Sequence, residues 1–140
     1  MITGTIKYQE APPPTLDFAN LRIDAGWNNP QVSLLKESID NSVYWICAYR
    51  DNELIATGRI IGDGAMFFYI QDVIVKQNFQ QLGIGTKIMQ FINAFLLHAA
   101  RPGSTIGLFA SKDKEPFYLK FDYIARTGTP LGLGMSKFIE

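Results

Sequence analysis

The sequence has one cysteine, one histidine and no surplus of either charge: 13 basic and 13 acidic side chains give a formal net charge of zero over 140 residues. One cysteine excludes an intrachain disulfide framework and any metal site built on several cysteines. Zero net charge leaves no basic excess of the kind that displaces counterions from nucleic acid. No apolar run approaches the roughly 20 residues needed to span a bilayer, and the opening stretch MITGTIKYQEAPPP lacks an apolar core of signal-peptide length. Repeats and low-complexity segments are also missing. What is present is an ordinary globular balance, 47% hydrophobic and 19% charged, which sets the chain apart from disordered sequences. A chain of this length buries roughly two thirds of its unfolded surface. The expectation is one domain over residues 1–140, cytoplasmic, with no metal, no nucleic-acid partner and no membrane partner.

Residues 2–9 alternate as a strand does, and Pro12-Pro13-Pro14 stops them. Thr15 is placed to cap a short helix whose apolar stripe would be Leu16, Ala19 and Ile23. Asn29-Pro30 reads as a cap followed by proline in the first turn, with Val32, Leu35 and Ile39 on one face of the next helix. Residues 43–50 and 54–62 form a hairpin around Asp51-Asn52. The run 66–75 is apolar on both faces except at Gln71 and Asp72, as expected of a central strand covered on both sides. From Ile84 the apolar positions Ile88, Phe91, Ile92, Phe95 and Ala99 repeat with helical spacing until Arg101-Pro102-Gly103. A strand over 105–110, a short helix from Pro116 and two last strands over 122–127 and 134–139 complete the reading. Strands outnumber helices in a mixed order, which favours an α+β sheet with helices on its faces.

The chemistry concentrates where the central strand meets the long helix, at Gln80-Gln81-Leu82-Gly83-Ile84-Gly85-Thr86. Two glycines at a helix start let a ligand approach the backbone, and the first N–H groups of the helix have no internal partner. With the positive end of the helix dipole, these features suit a pyrophosphate. The dinucleotide fingerprint fails because its third glycine would fall on Ile88, and the NTPase loop fails because Gly85-Thr86-Lys87 has the wrong order. A plainer alternative is that the glycines only allow the strand and helix to pack tightly.

The stretch YIQDVIVKQNFQQLGIGTKIMQ resembles the acyl-CoA signature of the GNAT acetyltransferase superfamily, with Gln80, Gly83 and Gly85 at its defining positions. Downstream, EPFYLKFDY is similar to the family's F-Y-x-K-x-G-F element, and Gly134-Met135 resembles the tail of small bacterial and plastid members. The resemblance spans residues 43–135. It implies the GNAT acyltransferase fold, a mixed and mostly antiparallel sheet splayed at its centre. It implies acetyl-CoA as co-substrate, its pantetheine pairing with the backbone of Val73, Ile74 and Val75 as an added strand does. Gln80, Gln81, Leu82, Gly83, Ile84, Gly85 and Thr86 would then hold the pyrophosphate, mostly through N–H groups.

The implied reaction is attack of a primary amine on the thioester, an N-acetyltransferase acting in a ternary complex. Tyr118 is the implied proton donor to the departing thiolate. A phenol near pKa 10 and a thiol near about 8.5 lie close enough to share a proton. Asp72, a carboxylate in an apolar strand, is a candidate base or amine anchor; the alternative is a structural carboxylate that caps a nearby loop or pairs with Arg59 on the adjacent strand. Ordered water serves as base in many members. The family's glycine is Asp122 here, a residue that tolerates left-handed backbone, and the strand 105–110 ends in Phe109-Ala110-Ser111 without an acidic or asparagine side chain. His98 and Cys47 read as a helix-end cation and a core residue. The expected partner is a small-molecule amine, with a protein lysine or a non-catalytic acyl-CoA-binding role as alternatives. Dimerisation is common in the family, which makes a homodimer one expected state.

Overall fold

The computed structural model describes residues 4–140. The chain forms two compact units, one ending at Gly107 and the other running Leu108–Glu140. In chain order the elements are β1 (Ile6–Gln9), α1 (Thr15–Asp24), α2 (Val32–Asp40), β2 (Tyr44–Arg50), β3 (Glu53–Gly62), β4 (Phe67–Val75), α3 (Ile84–Ala99), β5 (Thr105–Leu108) and α4 (Glu115–Leu119). Of the strand expected over 2–9, residues 2 and 3 lie outside the described residues.

The sheet follows chain order, β1-β2-β3-β4-β5, and β1 to β4 are antiparallel neighbours. Asp51 and Asn52 both take positive φ, 49° and 65°, the backbone of a two-residue hairpin turn whose twist matches its strands. The α3 crossover returns the chain to β5 beside β4, which makes the sheet mixed. On one face Trp45, Cys47 and Ile74 pack against Phe18 and Leu21 of α1 and Leu35 and Ile39 of α2. On the other, α3 buries Ile84, Ile88, Met89, Ile92 and Leu96. Its approach depends on Gly58 of β3: a Cβ there would lie 2.7 Å from Ile88 and 2.9 Å from Ile92.

The structure corrects several local expectations, and Thr15 is the first helical residue rather than the cap, which is Pro14. Of the stripe Leu16, Ala19, Ile23 only Ala19 packs against the core: Leu16 and Ile23 are 63% and 62% exposed, and α1 buries Phe18 and Leu21 instead. The larger aromatic surface of Phe18, seated edge-on against Trp45 at 5.1 Å, sets the rotation of the helix. Asn29-Pro30 does not start α2, which follows Gln31; the Asn29 side chain is engaged with Arg22 and the Ala19 carbonyl. The second unit has no strand over 122–127 or 134–139. Ile124, Met135 and Ile139 are each about nine-tenths exposed, and without a ladder partner their alternation creates no strand. That unit is organised instead by Phe117, which meets Tyr118 at 5.0 Å and Phe121 at 5.3 Å, and by Gly134 against the Phe109 ring.

Candidate active site

A bulge in β4 organises the site. Thr57 pairs with Ile74 and Arg59 with Gln71, so Asp72 and Val73 together oppose Gly58. Asp72 adopts φ 52°, the left-handed conformation of a bulge's first residue, which aspartate tolerates better than most side chains. The extra residue swaps faces along the strand. Ile70 pairs with Ile60 on the α3 side, whereas Ile74 joins the α1–α2 core.

Asp72 is buried and both carboxylate oxygens are engaged. Oδ1 accepts from Arg22 Nη1 at 2.8 Å; Oδ2 accepts from Arg59 Nε and lies 2.8 Å from Arg59 Nη2. Its carbonyl accepts from Thr57 Oγ1 at 2.8 Å. The arginines are themselves held. Arg22 donates to Asn29 Oδ1 and the Asn28 carbonyl and lies over the Trp27 ring. Arg59 Nη1 donates to the Ser38 and Ser42 hydroxyls, and its guanidinium lies over Trp45.

Beyond the bulge, β4 leads into a loop tied at both ends. The Lys76 N–H donates to the Ile55 carbonyl at 2.8 Å, and Gln80 Nε2 reaches back to the Val75 carbonyl at 3.1 Å. Gln77 donates twice to Asp24 at the end of α1. Phe79 and Ile84 are buried anchors on either side of the exposed Gln80-Gln81-Leu82-Gly83. Gln81 and Gly83 take φ of 63° and 83°, and no atom lies within 4 Å of a Cβ placed on Gly83. The first helical bond runs from the Lys87 N–H to the Gly83 carbonyl at 3.1 Å. Among the described residues, the N–H groups of Gln81 to Thr86 donate to no backbone carbonyl. They form a cradle at the positive end of a 16-residue helix, suited to an anion with several oxygens.

Among the described residues, β5 reaches only part of the strand that leads to this cradle. The Thr105 N–H donates to the Met66 carbonyl at 2.7 Å, so β5 starts at the beginning of β4. Four residues of β5 cover about 13 Å of a strand about 30 Å long at ~3.3 Å per residue. Val73, Ile74 and Val75 lie past that reach and end at the cradle.

Residues 6–131 match the model of the acetyltransferase (GNAT) domain family. The chain belongs to this family. The GNAT fold recurs in a protein of unknown function from meticillin-resistant Staphylococcus aureus described as a probable acetyltransferase, at 26% identity and a TM-score of 0.87, covering 96% of this chain and 100% of that one. A GNAT acetyltransferase of Streptococcus pneumoniae superposes with a TM-score of 0.77 at 20% identity, covering 96% and 98% of the two chains. Glucosamine-6-phosphate N-acetyltransferase from Arabidopsis thaliana does so with 0.69 at 15%, covering 97% and 99%. No curated protein matches the chain in sequence.

Of the residues expected to serve a GNAT reaction, Val73–Val75 and Gln80–Thr86 come together as one strand edge and one cradle. Tyr118 belongs to the second unit, on α4, beside Phe117 and 6.5 Å from the Tyr123 ring. Burial, and then Tyr118, push the Tyr123 phenol up to about 12. Asp122 takes φ 69°, the left-handed backbone expected where the family has glycine. Cys47 is sealed in the core and burial pushes its thiol up to about 12, far from an attacking thiolate. A cleft of about 450 Å³ lined by Glu10, Phe95 and His98 sits at the C-terminal half of α3, the opposite end of the helix from the cradle. Sequence reasoning missed Arg22, Thr57 and Gly58. The one signal available was Thr57-Gly58-Arg59, a polar and small interruption in an apolar strand.

Proposed function

We propose that this GNAT protein transfers the acetyl group of acetyl-CoA to a primary amine of a small molecule. The observation that carries the reading is the set of N–H groups at Gln81–Thr86 that, among the described residues, donate to no backbone carbonyl, at the end of the strand edge Val73–Val75. The cradle takes a pyrophosphate without a charged side chain. A pantetheine arm leaving it finds amide donors and acceptors along the β4 edge, as an added strand would. Bound acetyl-CoA supplies an activated acyl carbonyl and a thiolate leaving group.

The chain's own part is to orient the amine and manage two protons. Asp72 is buried with each carboxylate oxygen paired to a guanidinium; we assign the base role to ordered water. Tyr118 is assigned the proton donor on its place in the FYLKF segment. The N-acetylated sugar phosphate of the Arabidopsis neighbour supports an amine acceptor as a class.

The test is acetyl-CoA with a panel of primary amines, following thiol release and product mass. Amine-dependent thiol release is expected, and Tyr118→Phe lowers kcat by about 10²-fold with the acetyl-CoA KM held, the usual weight of a general acid. Tight binding of acetyl-CoA with no transfer to any amine would make the protein an acyl-CoA-binding module instead.

A further inference from the structure

We propose that Arg22, Asp72 and Arg59 form a positioning lock that sets the Val73–Val75 edge for the pantetheine arm. The inference rests on the acetyl-CoA reading of the site. Asp72 holds a left-handed backbone, a conformation disfavoured for most L-residues, and the three residues after it carry the edge. Which way their N–H and C=O groups point is therefore set at Asp72.

That conformation is fixed from three directions. Thr57 on β3 takes the Asp72 carbonyl, Arg59 on β3 takes one carboxylate oxygen, and Arg22 on α1 takes the other. Both arginines are held elsewhere as well, because Asn28, Asn29, Ser38 and Ser42 accept from their other nitrogens. The Asp72 side chain has no exposed surface, so it acts through the main chain that follows it. Arg22 makes the lock span two layers: the helix that covers one face of the sheet is ionically tied to the strand that would hold the cofactor. Gln77 adds a second tie from the same helix, through Asp24, to the start of the cradle loop.

The lock acts on the strand edge and leaves the cradle alone, which makes it separable from a general contribution to folding. Acetyl-CoA is compared with its nucleotide half, adenosine 5′-diphosphate 3′-phosphate, which keeps the pyrophosphate and lacks pantetheine. Affinities are measured by calorimetry, with displacement at millimolar concentration for the weaker ligand. Arg22→Gln is the primary variant, because its side chain is the partly exposed member of the cluster; Asp72→Asn, which also tolerates left-handed backbone, is the second.

The lock predicts that Arg22→Gln weakens acetyl-CoA about tenfold, the weight of roughly one backbone hydrogen bond, and changes the nucleotide half by less than about twofold. Equal loss for both ligands would show a general loosening and overturn the lock, as would no loss for either. Where Asp72→Asn folds, kcat keeps the shape of its pH profile; disappearance of the ascending limb with acetyl-CoA affinity intact would make Asp72 the base and overturn the lock. A wild-type protein that binds the nucleotide half but gains nothing from the acetyl-pantetheine arm would remove the edge from the site. Failure of the wild type to bind either ligand would remove the acetyl-CoA reading itself.

Discussion

Gly58 lies where three features meet: the close approach of α3, the bulge in β4, and the Thr57 and Arg59 contacts to Asp72 on the other face of β3. Gly58→Ala places a methyl group inside contact distance of Ile88 and Ile92. It is expected to destabilise the protein by about 1–3 kcal/mol, read as a shift in the urea midpoint without a change in slope. An unchanged midpoint would mean that α3 sits loosely enough to move aside. Single residues also show where the sequence was legible. Cys47 alternates with Trp45 and Tyr49, and the strand period alone puts it in the core. Asp72 was ambiguous because a carboxylate in an apolar strand satisfies two chemistries equally. Its ion pair with Arg22, 50 positions away, was reachable only through the fold.

At the scale of elements, β2 carries its own titration. Burial raises the Cys47 thiol from its ordinary 9.0 to about 12, and burial followed by the neighbouring Cys47 raises the Tyr49 phenol from 10.0 to about 12. Both groups are neutral when protonated, and the unfolded chain releases their protons first. The stability they contribute is fully present below about pH 9 and declines as pH rises toward 12. The melting temperature is expected to fall through that window, and Cys47→Ala should move the onset of the fall upward; an identical onset would remove Cys47 from the account. Legibility differed sharply among elements. The long helix α3 was plain because its apolar positions repeat with helical spacing over 16 residues, although the buried set includes Met89 and Leu96 and leaves Phe91, Phe95 and Ala99 half-buried. The short helix α1 misled, since at ten residues two alternative apolar faces exist and only contact with Trp45 chooses between them. Segments 122–127 and 134–139 alternate in the manner of strands, yet alternation supplies no neighbouring edge to pair with.

For the molecule as a whole, the strand–loop–helix from Phe67 to Ala99 was the most legible part, because its glycine positions and spacing are imposed by backbone geometry rather than by distant contacts. The acceptor side is encoded in side chains spread over the chain, with no comparable local rule. The central claim is that the cradle at Gln81–Thr86 and the edge at Val73–Val75 bind acetyl-CoA. Its most direct test is a thermal-shift titration of the intact chain with acetyl-CoA, with ATP as the control for any phosphate-bearing nucleotide. At about 100 times its dissociation constant a ligand stabilises the fold by ~2.7 kcal/mol, several degrees for a chain of this length. That shift is expected with acetyl-CoA and a much smaller one with ATP. No shift at millimolar acetyl-CoA, or equal shifts with both ligands, would contradict the central claim.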